Sequence, residues 1–357
     1  MDSIFNLSHH DGNPRNSEGS FVRLNDGRIL FVYTRYRGDS WHDHATADLA
    51  AKFSADNGRT WSSEDTILLQ NDSLNVMSVS LLRLQDGRIA LLHLRKSAFE
   101  GEGGGVDCRP WIHFSSDEAQ SWSPAIDITK LPPSYLVVNN DRLIQLKNGR
   151  LAVPVSFHRF RNPNGEKFEI DSRSIAVYYL SDDGGQNWRE SKDFVLPLSH
   201  KISTGYQEPG VIELSDGRLF SWFRTSDGAQ HGSFSEDSGD TWGTPFRAHQ
   251  FPSMSSPLSM KAHPETRELF AVWADIDPRW NITPQEGSWR RTPLVMARST
   301  DDGKTWHAHR MLESEPDHGY YIAMLFTDDN ALLLAYCCGG GKGSTVLQDL
   351  RIRRIEL

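Results

Sequence analysis

The chain has few cysteines, no long apolar run and no excess of positive charge, and each absence excludes a class of protein. Its three cysteines are Cys108, Cys337 and Cys338. Because the count is odd and two of them are adjacent, they imply no disulfide framework. No apolar run approaches the length of a transmembrane helix. The formal net charge of −9 argues against nucleic acid or an anionic membrane as the main partner, since both are bound through basic surfaces.

The first residues also lack the features of a signal peptide. Residues 1–5 read MDSIF, without the positively charged stretch and apolar core that direct secretion. We therefore expect a soluble, cytoplasmic protein. The alternative is a secreted protein whose signal peptide has been removed, because its sequence would look the same.

What the chain does have is a repeat. The pattern S-x-D-x-G-x-T-W, known as the Asp-box, occurs five times, at residues 54–61, 115–122, 181–188, 235–242 and 299–306. Ala119 replaces the glycine in the second copy, and Asn187 replaces the threonine in the third. Each copy predicts a hairpin turn in which the aspartate accepts hydrogen bonds from nearby donors and the glycine adopts a left-handed conformation. The tryptophan is expected to fill the gap between neighbouring sheets.

A second repeat alternates with the Asp-boxes. Its copies lie at residues 24–30, 84–90, 146–152 and 214–220, with looser versions at 264–269 and 327–332. An Asp-Gly or Asn-Gly turn between short apolar runs indicates a β-hairpin. Six inner hairpins and five Asp-box hairpins predict one domain, residues 1–357, folded as an all-β, six-bladed β-propeller of four-stranded antiparallel blades. Residues 350–355 are expected to close the ring by pairing with N-terminal residues.

The spacing and number of these repeats resemble those of the sialidase (neuraminidase) superfamily over the whole chain. The resemblance implies a glycosidase with an acid/base aspartate and a tyrosine nucleophile that a glutamate assists. It also implies three arginines that hold the carboxylate of the substrate. Because propellers without enzymatic activity carry Asp-boxes too, the resemblance has to be tested position by position.

The loop before the first Asp-box supplies the candidate acid and base. The aspartate of the family lies in this loop, and Asp43 fits its position within about one residue. His42 and His44 flank it and titrate near neutral pH, so either histidine is a candidate to share the role. Two histidines alternating along a loop are only a weak metal signal. We expect neither a metal nor an organic cofactor.

The candidate nucleophile and its assistant lie far apart in the sequence. Glu208 precedes an inner hairpin, as the glutamate of the family does, and Tyr321 fits the position of the nucleophilic tyrosine better than Tyr320. A phenol has an ordinary pKa of about 10, so it is a poor nucleophile unless a neighbouring carboxylate assists it. The alternative for either tyrosine is an aromatic side chain packed on a strand.

The match to the three substrate-binding arginines is incomplete. Arg15 lies about two residues from the first position with Glu18 close by to orient it, although a loop salt bridge explains this pair equally well. Arg291 matches the third position. At the second position the chain has Gln230, which can hydrogen-bond a carboxylate but cannot neutralise it. Three arginines are candidates to compensate from other strands: Arg109, Arg142 and Arg224.

These matches leave three hypotheses of function. The first is a retaining exo-glycosidase that hydrolyses a terminal sialic acid or related acidic sugar from a glycoconjugate through a tyrosyl-enzyme intermediate. The second keeps the hydrolase but changes the sugar to another ulosonic acid or a uronic acid, since Gln230 replaces an arginine. The third is a propeller that binds glycans or proteins without catalysis. Only the third predicts that the candidate residues do not meet in one cavity.

Overall fold

The computed structural model describes residues 2–99, 105–161, 168–283, 291–314, 318–339 and 347–357. These residues form β-strands and one short 3-10 helix, Pro278–Trp280. The strands are β1 (Ser3–Leu7), β2 (Asn16–Arg23), β3 (Ile29–Tyr36), β4 (Ala47–Ser54), β5 (Thr66–Leu69), β6 (Asn75–Arg83), β7 (Ile89–Phe99), β8 (Gly105–Ser115), β9 (Ile126–Asp127), β10 (Tyr135–Val137), β11 (Ile144–Gln145), β12 (Leu151–Arg161), β13 (Glu169–Ser181), β14 (Arg189–Glu190), β15 (Gln207–Glu213), β16 (Leu219–Arg224), β17 (Ala229–Ser235), β18 (Phe246–Pro252), β19 (Ser259–Ala262), β20 (Leu269–Ala274), β21 (Leu294–Ser299), β22 (His307–Glu313), β23 (His318–Phe326), β24 (Ala331–Cys338) and β25 (Asp349–Glu356). Within these ranges no helix is long and apolar enough to cross a membrane.

Hydrogen bonding groups the described strands into five sheets. Four of them have four strands each: β2 to β5, β15 to β18, β19 to β22, and β1 with β23 to β25. The remaining sheet has nine strands, because the three residues of β10 pair antiparallel with β12 and parallel with β8. Two hairpin units that the sequence predicts as separate four-stranded sheets are therefore joined by β10.

The two ends of the chain share a sheet. β25 pairs with β24 on one side and with β1 on the other. The register places Ser3 opposite Arg354 and Leu7 opposite Leu350. The prediction that residues 350–355 pair with N-terminal residues is confirmed.

The five Asp-box turns share one hydrogen-bond pattern. In the first turn, the Ser54 hydroxyl donates to Asp56 and accepts from the Gly58 amide, while Asp56 accepts from the amide and hydroxyl of Thr60. Equivalent bonds occur in the other four turns. Ala119 takes the left-handed conformation, with φ of 64°, that glycine takes in the other four turns. The pattern expected from the sequence is confirmed, and alanine adopts the strained backbone without breaking it.

The hydrophobic core lies between neighbouring sheets. Phe31 of β3 packs in one cluster with Leu333 of the sheet that contains both chain ends. Trp61 of the first Asp-box lies in the same cluster, with its ring 6.1 Å from that of Phe31. Trp242 stacks on Tyr178 at 4.0 Å between ring centroids. The Asp-box tryptophans therefore fill gaps between sheets, as the sequence predicts.

In four of the hairpin units, the first strand carries a β-bulge at the same position. In β2, β6, β15 and β23 the pairing register shifts, and one residue of each bulge has positive φ. These residues are Glu18 (50°), Ser78 (59°), Glu208 (46°) and Tyr321 (56°). A bulge re-aims a side chain, and strained backbone of this kind concentrates at functional sites. All four side chains line one cavity.

Candidate active site

The cavity has a volume of about 320 Å³ and collects charged side chains from several sheets. Its lining includes three carboxyl groups, two guanidinium groups, one amine and two phenols: Glu18, Asp43, Glu208, Arg224, Arg291, Lys96, Tyr135 and Tyr321. Six of the residues singled out in the sequence therefore meet here: Glu18, Asp43, Glu208, Arg224, Arg291 and Tyr321. This convergence was expected of an enzyme and not of a propeller without catalysis.

Glu208 is held by an arginine on the neighbouring strand. Arg224 Nη1 donates to Glu208 Oε1 at 2.6 Å, and Arg224 Nε donates to Ser255 at 3.0 Å. The Glu208 amide donates to the Ser156 hydroxyl at 2.6 Å. Among the described residues nothing donates to the second carboxylate oxygen, Oε2. Glu208 is thus fixed through one oxygen, and the other remains a proton acceptor.

The phenol of Tyr321 lies beside this ion pair. It lines the same cavity as Arg224 and Glu208, and the charges of both residues act on the phenol. Burial raises the pKa of Tyr321 and the charge of Glu208 raises it further, while Arg291 and Arg224 oppose the rise. The free protein therefore holds Tyr321 as a neutral phenol, with a base and two cations around it.

Arg15 lies behind the cavity wall. Its side chain is only 1 % exposed and does not line the cavity. Nη1 donates to Asp43 Oδ1 at 2.6 Å, and Nη2 lies 3.4 Å from Glu18 Oε1. The expected direct contact between Arg15 and substrate does not fit this placement. The alternative, an ion pair, does fit, and Arg15 positions two carboxyl groups of the wall.

The two carboxyl groups that share Arg15 titrate far apart. Partial loss of solvent at the cavity raises the pKa of Asp43, but the charges of Arg15 and Lys96 outweigh this effect, and the pKa falls to about 2. Burial raises the pKa of Glu18 to about 7, because Arg15 opposes the rise only in part and Asp43 adds to it. At neutral pH Asp43 is therefore ionised, while Glu18 is divided between its acid and its carboxylate.

Gln230 does not lie in the cavity. Its side chain is fully buried, and its amide donates to Ser253 at 3.1 Å and to the carbonyl of Ser256 at 2.8 Å. The prediction that Gln230 occupies the place of the second arginine is wrong. Arg224 lies opposite Gln207 in the register of β15 and β16, which brings it beside Glu208, whereas Gln230 belongs to β17, one strand further from the cavity.

The other two candidate arginines also lie elsewhere. Arg142 is buried and donates to the carbonyl of Leu258 at 2.7 Å and to Ser259 at 3.1 Å, and it does not line the cavity. Arg109 pairs with Asp107 and Asp127. The expectation that Arg142 contacts substrate does not fit this position. Of the three arginines that were candidates to compensate, Arg224 is the one that lines the cavity.

The two histidines beside Asp43 contact aromatic rings rather than the cavity. His42 stacks on Trp41 at 4.6 Å between ring centroids, and His44 meets Tyr135 edge-on at 6.4 Å. Burial and the charge of Lys96 lower the pKa of His44. His44 therefore stays on the rim, next to Asp43. In the part of the chain that the structure describes, no three His, Cys, Asp or Glu side chains form a metal-binding group.

Lys96 and Ser78 are among the residues of the site that were missed in the sequence. Lys96 is buried and its Nζ donates to the Asp43 carbonyl at 2.6 Å. Ser78 donates a very short hydrogen bond to Glu18. Nothing in the sequence marks Lys96, but a spacing marks Ser78. Glu18, Ser78 and Glu208 each lie eight residues before the aspartate of an Asp-Gly turn, so the Glu208 motif points to the other two.

Comparison with known proteins places these features in a family. The sequence profile of the BNR repeat-like domain family matches residues 47–334. A sialidase of Clostridium perfringens is 26 % identical over 243 residues, which cover 61 % of this chain and 58 % of that protein. The chain thus spans little more than half the length of this relative.

Two solved structures share the fold. A protein of unknown function from Dyadobacter fermentans DSM 18053 superposes with a TM-score of 0.73 at 18 % identity, covering 99 % of this chain and all of that one. The Hadza microbial sialidase Hz136 gives the same TM-score at 17 % identity, covering 97 % of this chain and 66 % of that one. At these identities the similarity concerns the fold.

Proposed function

Since the chain belongs to the BNR repeat-like domain family and is sialidase-like, we propose that it is a retaining exo-glycosidase that releases a terminal sialic acid or a related acidic sugar. The proposal includes one domain in which six hairpin units form the six blades of a propeller around the cavity. The observation that carries it is the convergence of Tyr321 with the Arg224–Glu208 ion pair in one cavity.

Tyr321 acts as the nucleophile in this proposal. Glu208 takes the phenolic proton through its second oxygen as the phenolate attacks the anomeric carbon. Arg224 holds the carboxylate in place and partly neutralises the charge that develops on Tyr321. A neutral phenol also approaches an anomeric carbon that bears a carboxylate more easily than an anion does, because like charges repel.

Arg224 and Arg291 bind the substrate carboxylate. Both guanidinium groups line the cavity, and planar guanidinium groups can bind a carboxylate through two parallel hydrogen bonds. Their charges lie close enough to Tyr321 to oppose the rise of its pKa. A carboxylate held there brings the anomeric carbon of an ulosonic acid next to the phenol oxygen.

Asp43 serves as the general acid and then as the general base. Its side chain is 58 % exposed at the cavity mouth, so it exchanges protons with solvent. The aglycone of a bound substrate covers Asp43 and removes water from it, which raises its pKa, since burial disfavours the charged form. The protonated group then donates to the leaving oxygen, and the carboxylate later activates the water that hydrolyses the tyrosyl intermediate.

Two measurements test the reaction and the sugar together. A panel of aryl glycosides of sialic acid, another ulosonic acid and glucuronic acid identifies the substrate, and proton NMR of the first product gives its anomeric configuration. We expect hydrolysis of the ulosonides with retention. Cleavage of the glucuronide alone would favour a uronic acid as substrate, and an inverted product would contradict the tyrosyl intermediate.

A fluorinated substrate analogue tests the nucleophile directly. A 2,3-difluoro sialic acid slows hydrolysis of the glycosyl-enzyme, because fluorine at C3 destabilises the cationic transition state. We expect mass spectrometry to find the sugar attached to the peptide that contains Tyr321. Attachment to Glu208 or Asp43 would overturn the assignment. No binding of any glycoside in the panel would favour a protein without catalytic activity.

A further inference from the structure

Glu18 is a buried carboxyl group that the proposed mechanism does not use. It lines the cavity from the bulge of β2, with only 4 % of its side chain exposed. Oε2 accepts a hydrogen bond from Ser78, and among the described residues Oε1 is contacted by Arg15, at 3.4 Å. Arg15 makes its shorter contact, at 2.6 Å, with Asp43. Glu18 therefore receives a small share of the nearest positive charge.

The environment of Glu18 disfavours its charged form. Burial removes water from the carboxylate and raises its pKa, Arg15 offsets only part of this cost, and the charge of Asp43 adds to it. A substrate carboxylate in the same cavity adds another negative charge. Burial, the charge of Asp43 and the substrate carboxylate therefore all favour a proton on Glu18 once the cavity is occupied.

We propose that Glu18 is a specificity residue that binds the acidic sugar as a neutral carboxylic acid, so that substrate binding is coupled to the uptake of one proton from solvent. The inference rests on the proposed function, because it assumes an anionic sugar in this cavity. Ser78 continues to donate to Oε2, and the acquired proton on Oε1 is donated to an oxygen of the sugar. Protonation thus converts a repulsive group into a hydrogen-bond donor.

Several groups around Glu18 titrate outside the neutral pH range. Arg15 is cationic, because its pKa is raised well above the ordinary value, and the pKa of Asp43 falls to about 2 in the free protein. Burial raises the pKa values of the neighbouring thiols and phenols well above neutrality: Cys108, Cys337, Tyr36, Tyr135 and Tyr321. A proton taken up between pH 6 and pH 8 in the occupied cavity is therefore assigned to Glu18.

Isothermal titration calorimetry measures this proton. The probe is 2-deoxy-2,3-didehydro-N-acetylneuraminic acid, an anionic sugar that cannot be hydrolysed. Binding heats in phosphate and in Tris, which differ in ionisation enthalpy, give the number of protons taken up. For the wild-type protein we expect about half a proton at pH 7 and nearly one at pH 8, with affinity falling up to about tenfold per pH unit above pH 7.

Three variants assign the proton. Glu18→Gln keeps the shape and the donor without the titration, so we expect no proton uptake and an affinity that is constant from pH 6 to pH 8. Glu265→Gln, at an exposed position outside the cavity, should behave as wild type. Uptake that persists in Glu18→Gln and disappears in Asp43→Asn would place the proton on Asp43 and overturn the proposal.

The outcomes separate this inference from the proposed function. Binding without proton uptake in the wild-type protein refutes the role of Glu18 and leaves an acidic sugar as the ligand. No binding of the probe to the wild-type protein or to any variant, at any pH from 6 to 8, contradicts the acidic-sugar function itself, and the inference fails with it.

Discussion

Arg224 donates to Glu208 across 2.6 Å from the adjacent strand of the same sheet. The arginine ends β16, and the glutamate sits in the bulge of β15, so a register shift sets their separation. Tyr321, which belongs to another sheet, lines the same cavity as this guanidinium. One arginine thus holds the proposed base in the cavity of the proposed nucleophile, where we propose that it also binds the substrate carboxylate.

Replacing Tyr321 by phenylalanine removes the proposed nucleophile and keeps the ring. We expect Tyr321→Phe to lower kcat on an aryl sialoside by about 10³-fold or more, with the thermal midpoint within a few degrees of wild type. The matched control is Tyr179→Phe, since the Tyr179 hydroxyl also donates to a carboxylate, Glu190 at 3.3 Å, but lies outside the cavity. A kcat for Tyr321→Phe equal to that of the control would refute the nucleophile.

A pair of substitutions tests whether Arg224 or Gln230 acts on the substrate. Arg224→Gln removes one cation from the substrate carboxylate and from Glu208, so we expect kcat/KM to fall about 30-fold or more. Gln230→Met leaves the cavity intact and should change kcat/KM less than about threefold. It should lower the free energy of unfolding by about 1–3 kcal/mol, because Ser253 and Ser256 lose their donor. An equal loss of kcat/KM in both variants would show that Gln230 contributes to the active site after all.

The error at Gln230 shows what counting along a sequence can and cannot predict. Asp43, Glu208, Tyr321 and Arg291 were located by their distance from turns, and all four line the cavity. Gln230 was located by counting back from an Asp-box serine. Such a count does not predict which strand faces the cavity, because strand pairing and register decide which strand does so. Arg224 lies in the cavity because it is paired with Gln207, the neighbour of Glu208.

The repeats predict the hairpins well and their grouping into sheets less well. The Asp-box turns and the pairing of β25 with β1 follow from the sequence. The nine-stranded sheet does not, because the three residues of β10 carry no strong strand pattern and pair only through tertiary contacts. Ser78 was accessible through the eight-residue spacing that it shares with Glu18 and Glu208. Lys96 could not be predicted from the sequence, because its burial depends on how β7 packs against the loop of Asp43.

Substrates with different leaving groups test whether Asp43 is the general acid. An acidic phenol leaves without protonation, whereas an alkyl alcohol or a sugar needs a proton donor. We therefore expect Asp43→Asn to reduce kcat on a sialyl-galactoside by about 10²–10⁴-fold and to reduce the first chemical step on a nitrophenyl sialoside much less. Pre-steady-state measurement of nitrophenol release checks the second case. Equal losses on both substrates would show that Asp43 is not the acid.

Asp141 connects three sheets near the centre of the molecule. Its carboxylate accepts from the Ser20 hydroxyl at 3.0 Å, from Lys261 at 3.1 Å and from the amide of Met324 at 2.9 Å. Asp141→Ala leaves these donors unpaired, so we expect the free energy of unfolding to fall by about 2 kcal/mol or more in urea denaturation. Asp72→Asn, at a side chain that is 77 % exposed, should change it by less than about 0.5 kcal/mol. Similar small effects would show that the sheets do not depend on this contact.

The pKa of Glu18 also predicts how stability changes with pH. Folding raises this pKa from 4.5 to about 7, so the folded protein binds the proton more tightly than the unfolded chain. The resulting stabilisation is full below pH 4.5 and is lost as the pH rises to about 7. In Glu18→Gln this position carries no titrating carboxyl group, so this pH-dependent loss of stability does not occur. We expect the free energy of unfolding of the variant to rise relative to wild type by roughly 1–3 kcal/mol between pH 5 and pH 8. Glu265→Gln, at an exposed position outside the cavity, is the control and should give a curve parallel to that of wild type. Parallel curves of wild type and Glu18→Gln in urea denaturation from pH 5 to pH 8 would show that Glu18 titrates normally.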